Sequence, residues 1–237
     1  MNESAGKQEK AGVKNEIFLK RDQGVMNGME DLLYTAVIAD ALDEIGFHDC
    51  AMRENLRPLS PDWIFAGRAR TICCVDLFYE PEDPYGKEIE AVDSILPGEV
   101  VVVATAESTR NAPWGELLST AARARGAQGA IIDGFVRDVK KIKDLDFPVF
   151  AAGIKPVNSK GRGIVLEYNS PVECGGVLVQ PGDLICADYD GVLAIPSAVV
   201  EETLKLAKEK AAQENQSRAE LLAGAYLRQV FDKYGVL

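Results

Sequence analysis

Histidine is nearly missing from this chain: His48 is the only one in 237 residues. A Ser–His–Asp nucleophile would have to be built on it, and there is no Gly-x-Ser-x-Gly elbow to carry the serine. Cysteine is sparse and poorly spaced for structural chemistry. Cys50, Cys73, Cys74, Cys174 and Cys186 are odd in number and contain no Cys-x-x-Cys, which argues against a disulfide framework and a zinc site. No apolar run nears the roughly 18 residues that a membrane span needs. The polar opening MNESAGKQEKAGVKNE has no signal-peptide core, so a cytoplasmic protein with no membrane partner is expected. Positive charge is also short, with 26 Lys and Arg against 37 Asp and Glu and a net charge of −11. That excludes unassisted nucleic-acid binding as the leading function and leaves a basic protein partner open. The glycine-bearing loop Asn158–Gly163 lacks dinucleotide-fingerprint spacing and the Gly-Lys-Ser/Thr end of a phosphate loop. Internal repeats and long linkers are absent as well.

What is present is an ordinary globular composition, 47% hydrophobic. Residues 1–14 read as a disordered polar tail and 15–237 as a single domain. Helices are predicted at Glu16–Gln23, at Met29–Ile45 with Leu32, Leu33, Ala36, Val37, Ala39 and Leu42 as its apolar stripe, and at Glu88–Ser94. Asp40 and Asp43 sit on the second of these, Asp43 on a solvated face. Strands are predicted at Phe65–Val75, Glu99–Ala104, Pro148–Gly153, Ile164–Tyr168, Val177–Val179, Leu184–Asp188 and Val192–Ile195, the last two joined by an Asp190-Gly191 hairpin turn. Leu56–Asp62 and the acidic Tyr79–Lys87 segment read as loops, the latter a candidate flap. Ser197 is a candidate cap for a final helix running to about Ala223, too polar to be wholly buried. Many short strands with few helices point to a mixed α/β fold with a strand-rich core.

The most informative stretch runs from Trp114 to Asp138. Pro113-Trp114-Gly115 makes a turn, Leu117, Leu118, Ala121, Ala122 and Ala124 give a helical pattern, and Gly126 and Gly129 end it. Ala130-Ile131-Ile132 reads as a buried strand, carried on through Asp133–Val136 to Arg137-Asp138. Strand–helix–strand units bring strand ends and helix starts to one crevice, so Gly115 and Arg137 are expected to be neighbours. Gly115 allows close backbone approach. The amides of Glu116, Leu117 and Leu118 are helix-start donors suited to an anion. Arg137 offers a fork for a carboxylate, and Asp138 offers hard oxygen for Mg²⁺ or Mn²⁺. These residues would together make a site for a small acid bearing a carboxylate and a second oxygen, held beside a divalent cation.

Three segments carry a family resemblance: Thr35–Gly46 followed by the Arg57 and Ala66–Thr71 stretches, Gly115 to Arg137-Asp138, and Pro171–Pro196 (PVECGGVLVQPGDLICADYDGVLAIP). They resemble the RraA-like family, which includes class II 4-hydroxy-4-methyl-2-oxoglutarate aldolases and regulators of ribonuclease activity. The resemblance implies a β/β/α swivelling, phosphohistidine-domain-like fold, assembled as trimers or dimers of trimers. It implies a metal-dependent lyase that cleaves a 4-hydroxy-2-oxo acid to pyruvate and also decarboxylates oxaloacetate. The alternative is a non-catalytic regulator that binds a ribonuclease or another basic protein. Asp138 would ligate the cation directly, Arg137 would grip the substrate carboxylate, and Gly115, Leu117 and Leu118 would hold the pyruvyl group. Glu116, and Glu214 from an adjacent subunit's last helix, would act through metal-bound water. One departure stands out: Lys141 occupies the position where aldolases of the family carry an acidic residue, with Asp144 three residues further on.

Overall fold

The computed structural model describes residues 33–236. The expected tail over 1–14, the helix at Glu16–Gln23 and the start of the Met29–Ile45 helix lie outside the described residues. Helix α1 spans Thr35–Glu44, with Leu33 and Tyr34 leading into it unwound. Asp188 fixes its start from a distant strand: its two carboxylate oxygens accept from the Thr35 amide at 2.7 Å and the Thr35 hydroxyl at 2.6 Å. A cap borrowed across the fold in this way satisfies a helix-start donor as a local cap would. The buried face of α1 is Val37, Ile38, Ala41 and Leu42, while Ala36, expected on the apolar stripe, is exposed.

The central layer is one sheet of eight strands. Its elements, in chain order, are β1 (Arg57–Pro58), β2 (Phe65–Asp76), α2 (Gly86–Asp93), β3 (Glu99–Ala104), α3 (Glu116–Ala124), β4 (Gly129–Val136), α4 (Val139–Leu145), β5 (Val149–Ile154), β6 (Gly163–Tyr168), β9 (Leu184–Asp188) and β10 (Gly191–Ile195). The short hairpin of β7 (Val172–Cys174) and β8 (Val177–Val179) stands apart as its own two-stranded sheet. Spatial order in the large sheet is β1-β5-β4-β3-β2-β9-β10, with β6 also on β2. The strands β2, β3, β4 and β5 run parallel. Long β2 divides its other edge, pairing β9 antiparallel along its first half and β6 antiparallel along its second. The sheet is mixed, and its core is strand-rich, as expected.

Two apolar clusters pack on it. One holds Ala91, Val92 and Ile95 around α2, Ala122 of α3 and Ile142 of α4 against the valine run of β3 and Ile131-Ile132 of β4. The other holds α1 and the long α5 (Val200–Leu222) against Leu184, Cys186, Leu193 and Ile195. Parallel strands covered on both faces read as continuous apolar runs, which makes β3 legible from its valines. Helix α5 buries only a narrow stripe of Val200, Thr203, Ala207, Ala211 and Ser217, in keeping with its polar composition. It starts at Val200 with no side-chain cap, so Ser197 does not have the expected role; its amide donates instead to Asp183 at 2.9 Å. Arg57–Pro58, expected as loop, forms a two-residue strand on β5. The pattern also missed β7 and a terminal helix, α6 (Leu227–Tyr234).

Candidate functional site

Parallel β2, β3, β4 and β5 end together, and the chain leaves each through a segment rich in polar groups. In open parallel sheets this carboxyl edge is where ligands bind. The loop that follows β3 returns along the end of β4. Trp114 bridges Val136 in parallel register, and the Arg137 amide donates to the Trp114 carbonyl at 3.0 Å. Trp114 is itself buried, and its indole N–H donates to Ser119 Oγ at 2.9 Å, whose hydroxyl in turn donates to the Gly115 carbonyl at 3.0 Å. The turn before α3 is therefore nailed to the helix and the strand at once.

That arrangement brings Gly115, Arg137 and Asp138 into one place, as the sequence led us to expect. A Cβ placed on Gly115 would lie 2.9 Å from Asp138 Oδ2 and 3.1 Å from Arg137 Cγ. Only glycine lets the backbone come this close. Arg137 Nε lies 3.6 Å from Asp138 Oδ2, and both side chains are about two-fifths exposed, 39% and 40%. Asp138 adopts the left-handed conformation, φ 58° and ψ 28°, and precedes α4 without using its carboxylate as a cap. A non-glycine residue held there stores backbone strain of about 1–3 kcal/mol, a cost found most often at functional positions. The amides of Glu116, Leu117 and Leu118 open α3 with no hydrogen-bond partner among the described residues. The first intrahelical bond goes from the Ser119 amide to the Gly115 carbonyl.

Other expectations divide. Leu117, assigned to the apolar stripe, is 75% exposed, and α3 instead buries Ser119 and Ala122. The Glu116 carboxylate accepts from Thr120 Oγ1 at 2.9 Å, one turn on, and has no contact with Arg137 or Asp138 among the described residues. Glu214 is not brought to this crevice within one chain: it takes the Tyr34 hydroxyl and lies 3.9 Å from Arg218. Burial and that carboxylate push Tyr34 up to about 12. Lys141 and Asp144 are exposed on α4. Asp43 takes the imidazole of exposed His48 at 2.9 Å, and Asp40 is also exposed, so neither joins the crevice.

The structure adds residues that the sequence did not point to. Asp133 is buried, and its Oδ1 accepts from the Thr105 amide at 2.6 Å and the Thr105 hydroxyl at 2.7 Å, tying the ends of β3 and β4. Burial pushes its carboxyl up, and the Thr105 bonds oppose this. Just beyond, the pairing of β4 with β5 shifts register between Ile132 and Phe135, an irregularity that re-aims the strand before Arg137. Glu88, in the first turn of α2, also faces this edge. Burial pushes it up to about 7, against the pull of the Arg137 charge. Beside it lies a cleft reaching from Asp76 and Glu88 to Thr105, Ser108, Asn111 and Pro113. The acidic 79–87 segment borders this cleft through Pro84 and is tied down: Asp83 accepts from the Gly86 amide at 2.9 Å, and Glu80 pairs with Lys160 at 2.8 Å. No helix among the described residues is long and apolar enough to cross a membrane.

Residues 35–194 match the family model described as RraA-like, Aldolase/RraA. The chain belongs to the RraA-like family. A relative in Halalkalibacterium halodurans, provisionally named 4-hydroxy-4-methyl-2-oxoglutarate aldolase, is 33% identical over 180 residues, covering 76% of this chain and 80% of its own. An uncharacterized protein of Methanocaldococcus jannaschii is 42% identical over 122 residues, 51% of this chain and 58% of its own. Among solved structures, Streptomyces coelicolor RraAS2, described as an unusual member of the RNase ES inhibitor RraA protein family, superposes with a TM-score of 0.75 at 26% identity, covering 84% of this chain and 98% of that one. This RraA-like protein therefore has relatives with aldolase names and relatives described as inhibitors, and fold alone does not choose between them.

Proposed function

We propose that this protein is a metal-dependent carbon–carbon lyase that cleaves a 4-hydroxy-2-oxo acid to pyruvate and also decarboxylates oxaloacetate. The observation that carries the reading is the convergence of Gly115, Arg137 and strained Asp138 at the mouth of α3. A divalent cation fits the donor set. Asp138 presents a half-exposed carboxylate not used as a helix cap, and one or two carboxylates with a largely aqueous shell suit Mg²⁺ or Mn²⁺. Bound there, the cation supplies Lewis-acid polarisation of the 2-oxo group.

The chain's own groups supply the rest. The Arg137 fork holds the substrate carboxylate in a fixed plane. The amides of Glu116, Leu117 and Leu118 donate to the oxygens of the oxo acid, whose negative charge grows as the C3–C4 bond breaks. That bond's electron pair stays with C3, the C4 hydroxyl loses its proton, and C4 leaves as a carbonyl. Glu116, once released from Thr120, is the nearest base on α3 to carry that proton, through water. Glu214 is assigned to the same proton path in a neighbouring subunit of a homotrimer or paired trimers, where exposed α5 would be completed by a second copy. Oxaloacetate passes through the same pyruvate enolate, so its loss of carbon dioxide reports on the shared half of the chemistry.

Purified protein incubated with oxaloacetate and Mg²⁺ is expected to release pyruvate, and EDTA is expected to stop it. The net charge of −11 and the inhibitor description of RraAS2 favour a second reading, a regulator that binds a basic protein segment. Absence of pyruvate release together with salt-sensitive binding to a ribonuclease's arginine-rich segment would support that reading instead.

A further inference from the structure

Strand β4 carries one residue more than its neighbour β5 just before the crevice. Ile132 pairs with Ala151 and Phe135 with Gly153, so Asp133 and Gly134 together stand opposite Ala152 alone. An extra residue of this kind is rare between parallel strands. It also turns every later side chain to the other face of the sheet. Pairing resumes at Phe135 and Val136, so the bulge decides the face on which Arg137 emerges. Asp133 is only 5% exposed, and its carboxylate braces the bulge from the side of β3. The ladder between β3 and β4 stops at Val103 and Ile132. The amide two residues on, that of Thr105, donates to Asp133 Oδ1 at 2.6 Å, where a continued ladder would have offered it a backbone carbonyl. The Thr105 hydroxyl donates to the same oxygen at 2.7 Å. Gly134 makes room for this contact: a Cβ there would lie 2.6 Å from Thr105 Oγ1.

We propose that Asp133 is a positioning residue for the candidate site: it holds the extra residue of β4 in place and thereby aims Arg137 and Asp138 at Gly115. The inference rests on the lyase reading. Both strands that build the crevice are fastened by this one carboxylate. From Thr105 the chain turns through Ala106 and Glu107, both left-handed at φ 51° and 58°, and runs on to Gly115. From Asp133 it runs through the bulge to Arg137. The two branches meet again where Trp114 bridges Val136. Without the carboxylate, the Thr105 amide and hydroxyl lose their acceptor in a buried place, a cost of about 1–3 kcal/mol for each unsatisfied group. A regular β4, offering a backbone carbonyl to Thr105, then becomes the better alternative and puts Arg137 on the wrong face. Asp133 touches no reacting atom in this account and acts through Arg137 and Asp138.

The test uses the full-length protein with Mg²⁺ and oxaloacetate, each variant assayed well below its melting temperature, together with a crystal structure of Asp133→Ala. That variant is expected to lose at least tenfold in kcat. Its structure is expected to show β4 and β5 in regular register past Ile132, with Arg137 Nε no longer beside Asp138 Oδ2. Asp133→Asn keeps an oxygen for both Thr105 donors and is expected to run severalfold faster than Asp133→Ala. Arg70→Ala, destabilised away from the bulge, is expected to keep kcat within about twofold of wild type, which separates aim from stability. Should Asp133→Ala not fold, Thr105→Val, which loses only the hydroxyl bond, is expected to lower kcat severalfold, and an unchanged kcat there overturns the proposal. A wild-type kcat in Asp133→Ala, equal losses in the Ala and Asn variants, or a variant structure that keeps the bulge and Arg137 in place overturns the positioning role alone. No oxaloacetate turnover by the wild type overturns the lyase reading, and the variant structure still decides whether Asp133 aims Arg137.

Discussion

The carboxyl edge of the sheet carries two groups of residues, and the two halves of this edge are assembled in opposite ways. One half, Gly115 with Arg137 and Asp138, comes from a single strand–helix–strand unit in which turn, helix and strand are adjacent in sequence. The other, Glu88, Asp76, Ser108 and Asn111, gathers side chains from α2, the end of β2 and the loop after β3. The first half is built on backbone: exposed amides, a glycine contact and a left-handed aspartate. The second is built on side chains, with the Ser108 hydroxyl donating to Asp76 at 2.6 Å. Chemistry common to a family can be carried by the first kind, while the second is freer to vary, since side chains change without disturbing the sheet.

Breaking the backbone-built half should have the largest effect. Arg137→Lys keeps the charge and loses the fork, and pyruvate release from oxaloacetate is expected to drop at least 100-fold, roughly 3 kcal/mol of transition-state stabilisation. An unchanged rate would remove Arg137 from its assigned role. Next comes a structural link beneath the other half. Arg70 on β2 makes a two-pronged pair with Glu99, at 2.9 and 3.0 Å, and donates to the Ser94 carbonyl at the end of α2. This pair is largely buried, so Arg70→Ala is expected to destabilise the protein by about 3–5 kcal/mol in denaturant unfolding. The solvated Arg125–Asp93 pair near the same helix should cost under about 1 kcal/mol when broken. Gly115→Ala follows. Its φ of −157° suits any residue, so no backbone strain arises, but the new Cβ would displace the Asp138 carboxylate. Activity is expected to fall about tenfold to a hundredfold with an unchanged melting temperature.

The two halves also differ in what can be read from the chain. Valine and isoleucine runs in β3 and β4, the glycine after α3 and the turn at Trp114 follow local rules, so the first half is legible in the order of residues alone. Arg137 and Asp138 can be placed because they follow directly on a strand whose end is predictable. Glu88 cannot, since an acidic residue in a helix's first turn usually serves the helix dipole. Its burial depends on β6 and the 79–87 segment folding over it. Asp188 capping α1 and Asp133 holding Thr105 are long-range bonds between residues whose spacing carries no signal. Leu117 departs from its expected place for a related reason. Helical periodicity identifies a face, but in the first turn of α3 Leu117 meets solvent.

A finer test of the side-chain half uses proton linkage. Burial raises the Glu88 carboxyl from about 4.5 to about 7, with Arg137 pulling the other way. Between those values the folded protein binds more protons at this position than the unfolded chain does. Stability therefore falls as pH rises from about 4.5 to 7, because ionising Glu88 costs the native state more than the unfolded one. At most this is roughly 3 kcal/mol, and partial solvent access reduces it. Glu88→Gln removes the titration, so the difference in unfolding free energy between wild type and variant isolates it from other groups such as Asp133. The variant is expected to gain on wild type steadily across that window and to hold a constant lead above pH 8. A flat difference would mean that the Glu88 carboxyl is solvated in the native state, with Arg137 offsetting what burial remains.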